Sequence, residues 1–300
     1  MKAYDTYIKK WNDFTKSNNI QEPSISNVAN FLSKLFKDGA SYSTVNLARS
    51  AVSAYINPES EHKIGRHPVI CRLMKGVFEQ RPALPKYTET WDVDSVVESL
   101  EQWSATEKLS LKQLTLRTVM LLALLSGQRG QTIHKLTVGD ISLYQDKCVL
   151  VFSSVLKHTR PGVHQKPLEL QAFPNKNLCI VAHLSRYLEL TKDLRSGKEL
   201  FISYVKPHAA VTRNTISRWI KEVLNIAGID TKKYSAHSTR AASTSAAFSR
   251  DVPLSTILQA AGWSRIQTFS KFYCRPVTGK QTATHSLGVS VLDKSLQGKT

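Results

Sequence analysis

Four short segments of this 300-residue chain hold side chains suited to acting on a phosphate. They are Ser126-Gly-Gln-Arg129-Gly-Gln-Thr132, Val155-Leu-Lys157-His158-Thr-Arg160, His237-Ser-Thr-Arg240, and Gly262-Trp263-Ser264 with Phe272-Tyr273 downstream. A guanidinium is always charged and its planar fork binds two phosphate oxygens at once, so Arg129 and Arg240 are suited to holding negative charge. His237 and Arg240 stand three apart, which puts them on one face of a helix and within reach of one group. Each segment by itself is a weak signal. An H-x-x-R pair arises often by chance, and a tyrosine near a C-terminus is more often packing than chemistry.

The charge of the chain says what such groups would meet. Lys and Arg number 41 against 23 Asp and Glu, a net charge of +18. Residues 1–87 hold 13 basic and 7 acidic residues, 13 − 7 = +6, which leaves 28 − 16 = +12 for the rest. A surplus spread over both halves attracts polyanions by counterion release, so nucleic acid is the first partner to expect, ahead of an anionic membrane surface. The four cysteines, Cys71, Cys148, Cys179 and Cys274, are far apart and form no C-x-x-C pair, which predicts a reduced intracellular protein without a structural metal. No apolar run is long enough for a membrane span, and the start of the chain lacks the apolar core of a signal peptide.

The elements that must position these residues follow from periodicity and stop signals. Over the first 80 or so residues apolar positions recur at helical spacing in four stretches: Tyr4 to Phe14; Val28 to Phe36, capped by Ser26 and ended by Gly39; Val45 to Ile56, following Ser43 and stopped by Pro58; and Val69 to Phe78, opened by Pro68. The aromatic residues in these stripes predict core, not a base-stacking surface. Arg81 to Lys86, with two prolines, predicts an extended linker and a domain boundary. Beyond it, Leu116 to Leu125 is apolar almost all round, as a helix central to a larger domain would be, and Gly127 ends it. Lys147 to Ser153 and Lys166 to Ala172 are strand-like around a Pro161-Gly162 turn, and helical spacing returns from Ile216 to Leu224 before Gly228.

Taken in this order, the four chemical segments resemble the tyrosine recombinase (phage integrase) family, and the resemblance covers nearly the whole chain. It implies a mainly α fold with a small antiparallel β-sheet: an N-terminal four-helix core-binding domain over 1–85 and a mixed α/β catalytic domain over 86–300. By the same resemblance Arg129 is the first catalytic arginine, Lys157 the lysine of the strand hairpin, and His237 with Arg240 the H-x-x-R pair. Trp263 takes a position held by His or Trp, and Tyr273 is the nucleophile. The implied activity is site-specific recombination of double-stranded DNA through a 3′-phosphotyrosyl intermediate, with no metal or other cofactor, by a homo-oligomer that is a tetramer on paired sites. Integration of a mobile element is the implied task, and an intracellular location, nuclear in a eukaryote, goes with it. The wording SGQR-x-QT, HSTRAAS and AAGWS…TF-x-KFY is closest to the recombinases of DIRS-type and Ngaro-type retrotransposons.

That chemistry accounts for the residue types. Phosphodiester cleavage needs an in-line nucleophile, charge stabilisation at the nonbridging oxygens and an acid for the departing 5′ oxygen. The resemblance assigns these to Tyr273, to Arg129 and Arg240, and to Lys157, with Trp263 as a buttress. Two departures stand out. Thr132 occupies a place where many members carry a carboxylate, and the interval from Trp263 to Tyr273 is one residue longer than the general pattern. Alternatives of other kinds are a type IB topoisomerase that relaxes DNA and a transposon-derived binder that no longer cuts. His134, His183 and His208 are expected to be ordinary structural histidines, and the apolar cluster Leu287, Val289, Val291 and Leu292 is expected to pack on a neighbouring subunit.

Overall fold

The computed structural model describes residues 2–56, 63–82, 87–156, 159–162 and 164–278. Pro58, most of the expected linker, Lys157 with His158, and the tail with Leu287 to Leu292 lie outside the described residues. The chain divides into two compact units that part between residues 86 and 87.

Among its described residues the first unit holds four helices, α1 (Lys2–Ser17), α2 (Ile25–Lys37), α3 (Tyr42–Ile56) and α4 (Pro68–Gln80), with a 3-10 turn over Ile64–Arg66. Its core gathers Trp11, Val28, Phe31, Leu32, Val45, Ala48, Val52, Ile70, Met74 and Val77. Trp11 and Phe31 meet edge to face at 5.3 Å, so these aromatics are packing. The helix starts differ from the sequence expectation. Ser24, not Ser26, caps α2 in a reciprocal box with Asn27, and Ser41, not Ser43, accepts from the Thr44 N–H at the start of α3. On α4 the buried face is rotated: Ile70 is inside, whereas Val69 and Phe78 are 49% and 45% exposed. Arg81 belongs to this unit as well. It donates to the carbonyls of Phe36 and Ala40 at 3.2 and 2.6 Å and lies over the Phe36 ring.

In the second unit come α5 (Val93–Glu101), α6 (Leu111–Ser126), α7 (Gly130–His134), β1 (Ile141–Leu143), β2 (Lys147–Leu150) and β3 (Leu168–Gln171). They are followed by α8 (Ile180–Thr191), α9 (Arg213–Ile226), α10 (Ser238–Ser249), α11 (Leu254–Ala261) and α12 (Ile266–Phe272). The strands form one antiparallel sheet in the order β1-β2-β3, with Cys148 opposite Leu170 and Leu150 opposite Leu168 on its buried face. β1 has no counterpart in the sequence reading, because three residues are too few to show alternation. Helix α6 is the axis of the unit: nearly every residue from Leu114 to Ser126 is buried, and it packs on α7, α8, α9 and α10. Among the described residues no helix is long and apolar enough to cross a membrane.

Gly127 closes α6 in the left-handed conformation, with φ +56°. A Cβ there would stand 3.1 Å from Thr244 Cγ2. Gly127→Ala is therefore expected to lower stability by about 1–2 kcal/mol, read as a fall in the thermal midpoint. An unchanged midpoint would mean that the turn relaxes freely.

Candidate active site

Arg240 is the centre of the site. It lies one turn into α10, 1% exposed, and two helix ends hold its guanidinium. One terminal nitrogen donates to the Gly127 carbonyl, where α6 ends, and the other to the Ala261 carbonyl, where α11 ends, each at 2.7 Å. Both carbonyls belong to helix C-termini, whose last C=O groups lack helical partners and carry the negative end of the helix dipole. The left-handed turns at Gly127 and Gly262 stop the two helices there. Among the described residues no carboxylate holds this arginine, and Thr132 lies buried within α7.

The indole of Trp263 covers the guanidinium at 4.1 Å from its centroid, and the ring of Tyr273 lies 5.2 Å from it. The two rings are 4.5 Å apart. Burial first, and the charge of Arg129 second, push the Arg240 pKa down to about 9, while the Tyr273 hydroxyl opposes the shift. A guanidinium so placed stays cationic at neutral pH, and an arriving anion relieves the cost of its burial. Arg240 Nε and Trp263 Nε1 are buried donors with no partner among the described residues. Each keeps an unused N–H.

Arg129 is the N-cap residue of α7, two positions after Gly127, makes no side-chain cap bond and is half-buried. Among the described residues its guanidinium takes no hydrogen-bond or ion-pair partner. His237 is the exposed N-cap residue of α10 and not part of the helix proper, and its Nε2 lies 3.3 Å from the Tyr273 hydroxyl. Tyr273 itself closes α12 as its C-cap residue, with φ −127° and ψ −26°. The long interval after Trp263 thus ends with the tyrosine at the helix terminus, its ring against Trp263 and Arg240. Arg129, His237, Arg240, Trp263 and Tyr273 are brought together. Lys157 lies outside the described residues, but Arg160 of the same segment shares a cleft of about 800 Å³ with His164, Lys166, Trp263, Ser264 and Arg265.

Three supports escaped sequence reasoning. Trp91 donates through its indole N–H to Ser238 Oγ at 2.9 Å, fixing the turn that presents His237. Gln128 reaches the Ala260 carbonyl and ties α6 to α11. Ser245 of α10 binds the backbone on both sides of Cys274. None carries a local signal, since each acts on a residue far away in the chain. The structural histidines behave as expected. His134 bonds the Val211 carbonyl, His208 that of Ser203 and His183 that of Cys179, and burial pushes His183 down to a pKa of about 4.

Comparison with solved structures gives matches across nearly the whole chain. The XerH site-specific recombinase bound to a palindromic difH substrate is 17% identical, covers 89% of this chain and 74% of its own, and superposes with a TM-score of 0.63. A lambda integrase dimer bound to a COC′ core site is 15% identical over 93% of this chain and 89% of its own, with a TM-score of 0.55. The Tn1549 transposon integrase in complex with transposon right end DNA is 14% identical, covers 85% of this chain and 82% of its own, and has a TM-score of 0.57. At such identities the likeness is one of fold. No curated protein matches the chain significantly. A model of the phage integrase family matches residues 93–278, which is more than half of the chain and takes in Arg129, His237, Arg240, Trp263 and Tyr273. On that match this protein belongs to the phage integrase family.

Proposed function

We propose that this protein, a site-specific tyrosine recombinase by family, cuts one DNA strand at a time by attack of the Tyr273 hydroxyl on a phosphodiester held by Arg240 and Arg129. The observation that carries the reading is the buried Arg240 guanidinium, its Nε without a partner among the described residues, lying against the ring of Tyr273 and beside the charge of Arg129. Charge that develops on the nonbridging oxygens meets donors already in place, which is where most of the rate gain of such a site arises.

A phenol is protonated at neutral pH, and His237 Nε2 at 3.3 Å is placed to take its proton when the imidazole is neutral and protonated on Nδ1. The Tyr273 oxygen bonds to phosphorus, the bond to the 5′ oxygen breaks, and that oxygen takes a proton from Lys157. The products are a 3′-phosphotyrosine and a free 5′ hydroxyl. One phosphodiester replaces another of similar energy, so a second strand's 5′ hydroxyl can reverse the step without ATP. Trp263 braces Arg240 and offers its indole N–H to the phosphate.

The cleft carrying Arg160, His164, Lys166 and Arg265 suits the DNA backbone on the Trp263 side of the cut. The helical unit supplies a second basic surface, and four copies act on two paired sites. Integration of a mobile element is the task this chemistry serves, in the nucleus where the host is a eukaryote.

The test is a nicked substrate whose cleaved end diffuses away. It is expected to trap a covalent adduct that proteolysis and mass spectrometry map to Tyr273, and a plasmid with two sites is expected to recombine where a plasmid with one does not. An adduct on another residue would overturn the site, and relaxation of any supercoiled plasmid regardless of sequence would overturn the recombinase reading.

A further inference from the structure

Tyr273 stands where helical hydrogen bonding runs out. Its N–H and that of Cys274 still donate to the Phe269 carbonyl at 2.8 and 2.9 Å, but its own C=O has no acceptor's place in the seven-residue helix, which has ended. A residue in that position ordinarily frays into water, and its side chain wanders with it. Here it does not end in water. Ser245, 5% exposed on α10, donates its hydroxyl to the Tyr273 carbonyl at 2.7 Å and accepts from the Arg275 N–H at 3.0 Å. One hydroxyl thus closes a turn around Cys274 and pins both ends of it. Downstream, the chain is fastened again: the Thr90 N–H donates to the Pro276 carbonyl and the Thr278 N–H to the Thr90 carbonyl, both at 2.8 Å.

Ser245 is five residues after Arg240 on the same helix. The helix that holds the phosphate-binding guanidinium therefore also holds the backbone of the attacking residue. We propose that Ser245 is a positioning residue for strand cleavage: its hydroxyl sets the distance and angle of Tyr273 relative to the phosphate on Arg240, without touching the phosphate itself. The inference rests on Tyr273 being the nucleophile. Reactions of this kind depend steeply on alignment, and a misplacement of about 1 Å can cost about 100-fold in rate.

The experiment is single-turnover cleavage of a nicked substrate by the full-length protein carrying Ser245→Ala or Ser245→Thr, with DNA affinity and the thermal midpoint measured beside it. Ser245→Ala is expected to cleave about 10- to 100-fold more slowly at saturating DNA. Its half-saturating DNA concentration should stay within about 2-fold, and the shape of its pH profile should not change, because neither the arginines nor the proton carriers are altered. Ser245→Thr keeps the hydroxyl and is expected to recover most of the rate. Wild-type cleavage by Ser245→Ala, or equal slowing by both variants, would overturn the proposal while leaving Tyr273 in place. If Ser245→Ala melts before assay temperature, Ser245→Thr and Ser245→Cys decide. Equal rates for these two would overturn it, since cysteine fills the space but is a weak donor. An adduct mapping elsewhere in the otherwise unchanged protein would instead remove the reading on which it rests.

Discussion

Tyr273→Phe is expected to fold, to bind DNA like the unchanged protein, and to form no covalent adduct. The substitution removes one oxygen. The ring keeps its place 4.5 Å from Trp263 and against Arg240, and the backbone keeps its anchor on Ser245. The lost hydrogen bond to His237 is long, at 3.3 Å, and its histidine is exposed, so little stability goes with it. Rate is another matter, because no other group replaces the oxygen that must bond to phosphorus. Loss of a nucleophile acting with its base costs on the order of a million-fold in a well-studied hydrolase. The measurement is adduct yield on a nicked substrate over hours, alongside a binding titration. A persistent adduct in Tyr273→Phe would sink the assignment, and a parallel collapse of binding would show that the hydroxyl serves structure.

The second large effect separates the two arginines. Arg240→Lys is expected to lose about 100- to 1,000-fold in cleavage rate, the usual cost of one transition-state donor. It should also lose about 2–4 kcal/mol of stability. A lysine keeps the charge but cannot reach the Gly127 and Ala261 carbonyls together, and it leaves the face of Trp263 uncovered. Arg129→Lys is expected to lose a comparable factor in rate with almost no change in the thermal midpoint, because Arg129 is half-exposed and braces nothing among the described residues. Single-turnover cleavage and thermal melts of both variants make the comparison. Near-normal turnover in either one would remove that arginine from the site, and equal midpoints would mean that the carbonyl cradle contributes little.

Much of this protein was legible in its residue order. Stop signals at Gly39, Gly127 and Gly228 and the start at Pro68 coincide with real helix boundaries, and the apolar run around Leu116 to Leu125 is the axis of the second unit. Such features rest on a residue's own backbone preferences or on neighbours within a turn or two. The matching of the four chemical segments, in order, to one family was legible for the same reason, since short motifs survive as text.

What the residue order by itself left undecided depends on partners far away in the chain. Ser26 reads as the cap of α2 from the residue order, but Ser24 holds that place in a box with Asn27, and the inner face of α4 is chosen by α2 and α3. The cradle of Arg240 joins residues 113 and 21 positions apart, and the clip on Tyr273 joins residues 28 apart. Both use backbone carbonyls, which every residue owns and no motif marks. A buried guanidinium must find acceptors, and only the assembled tertiary structure decides that two helix ends, in place of a carboxylate, supply them.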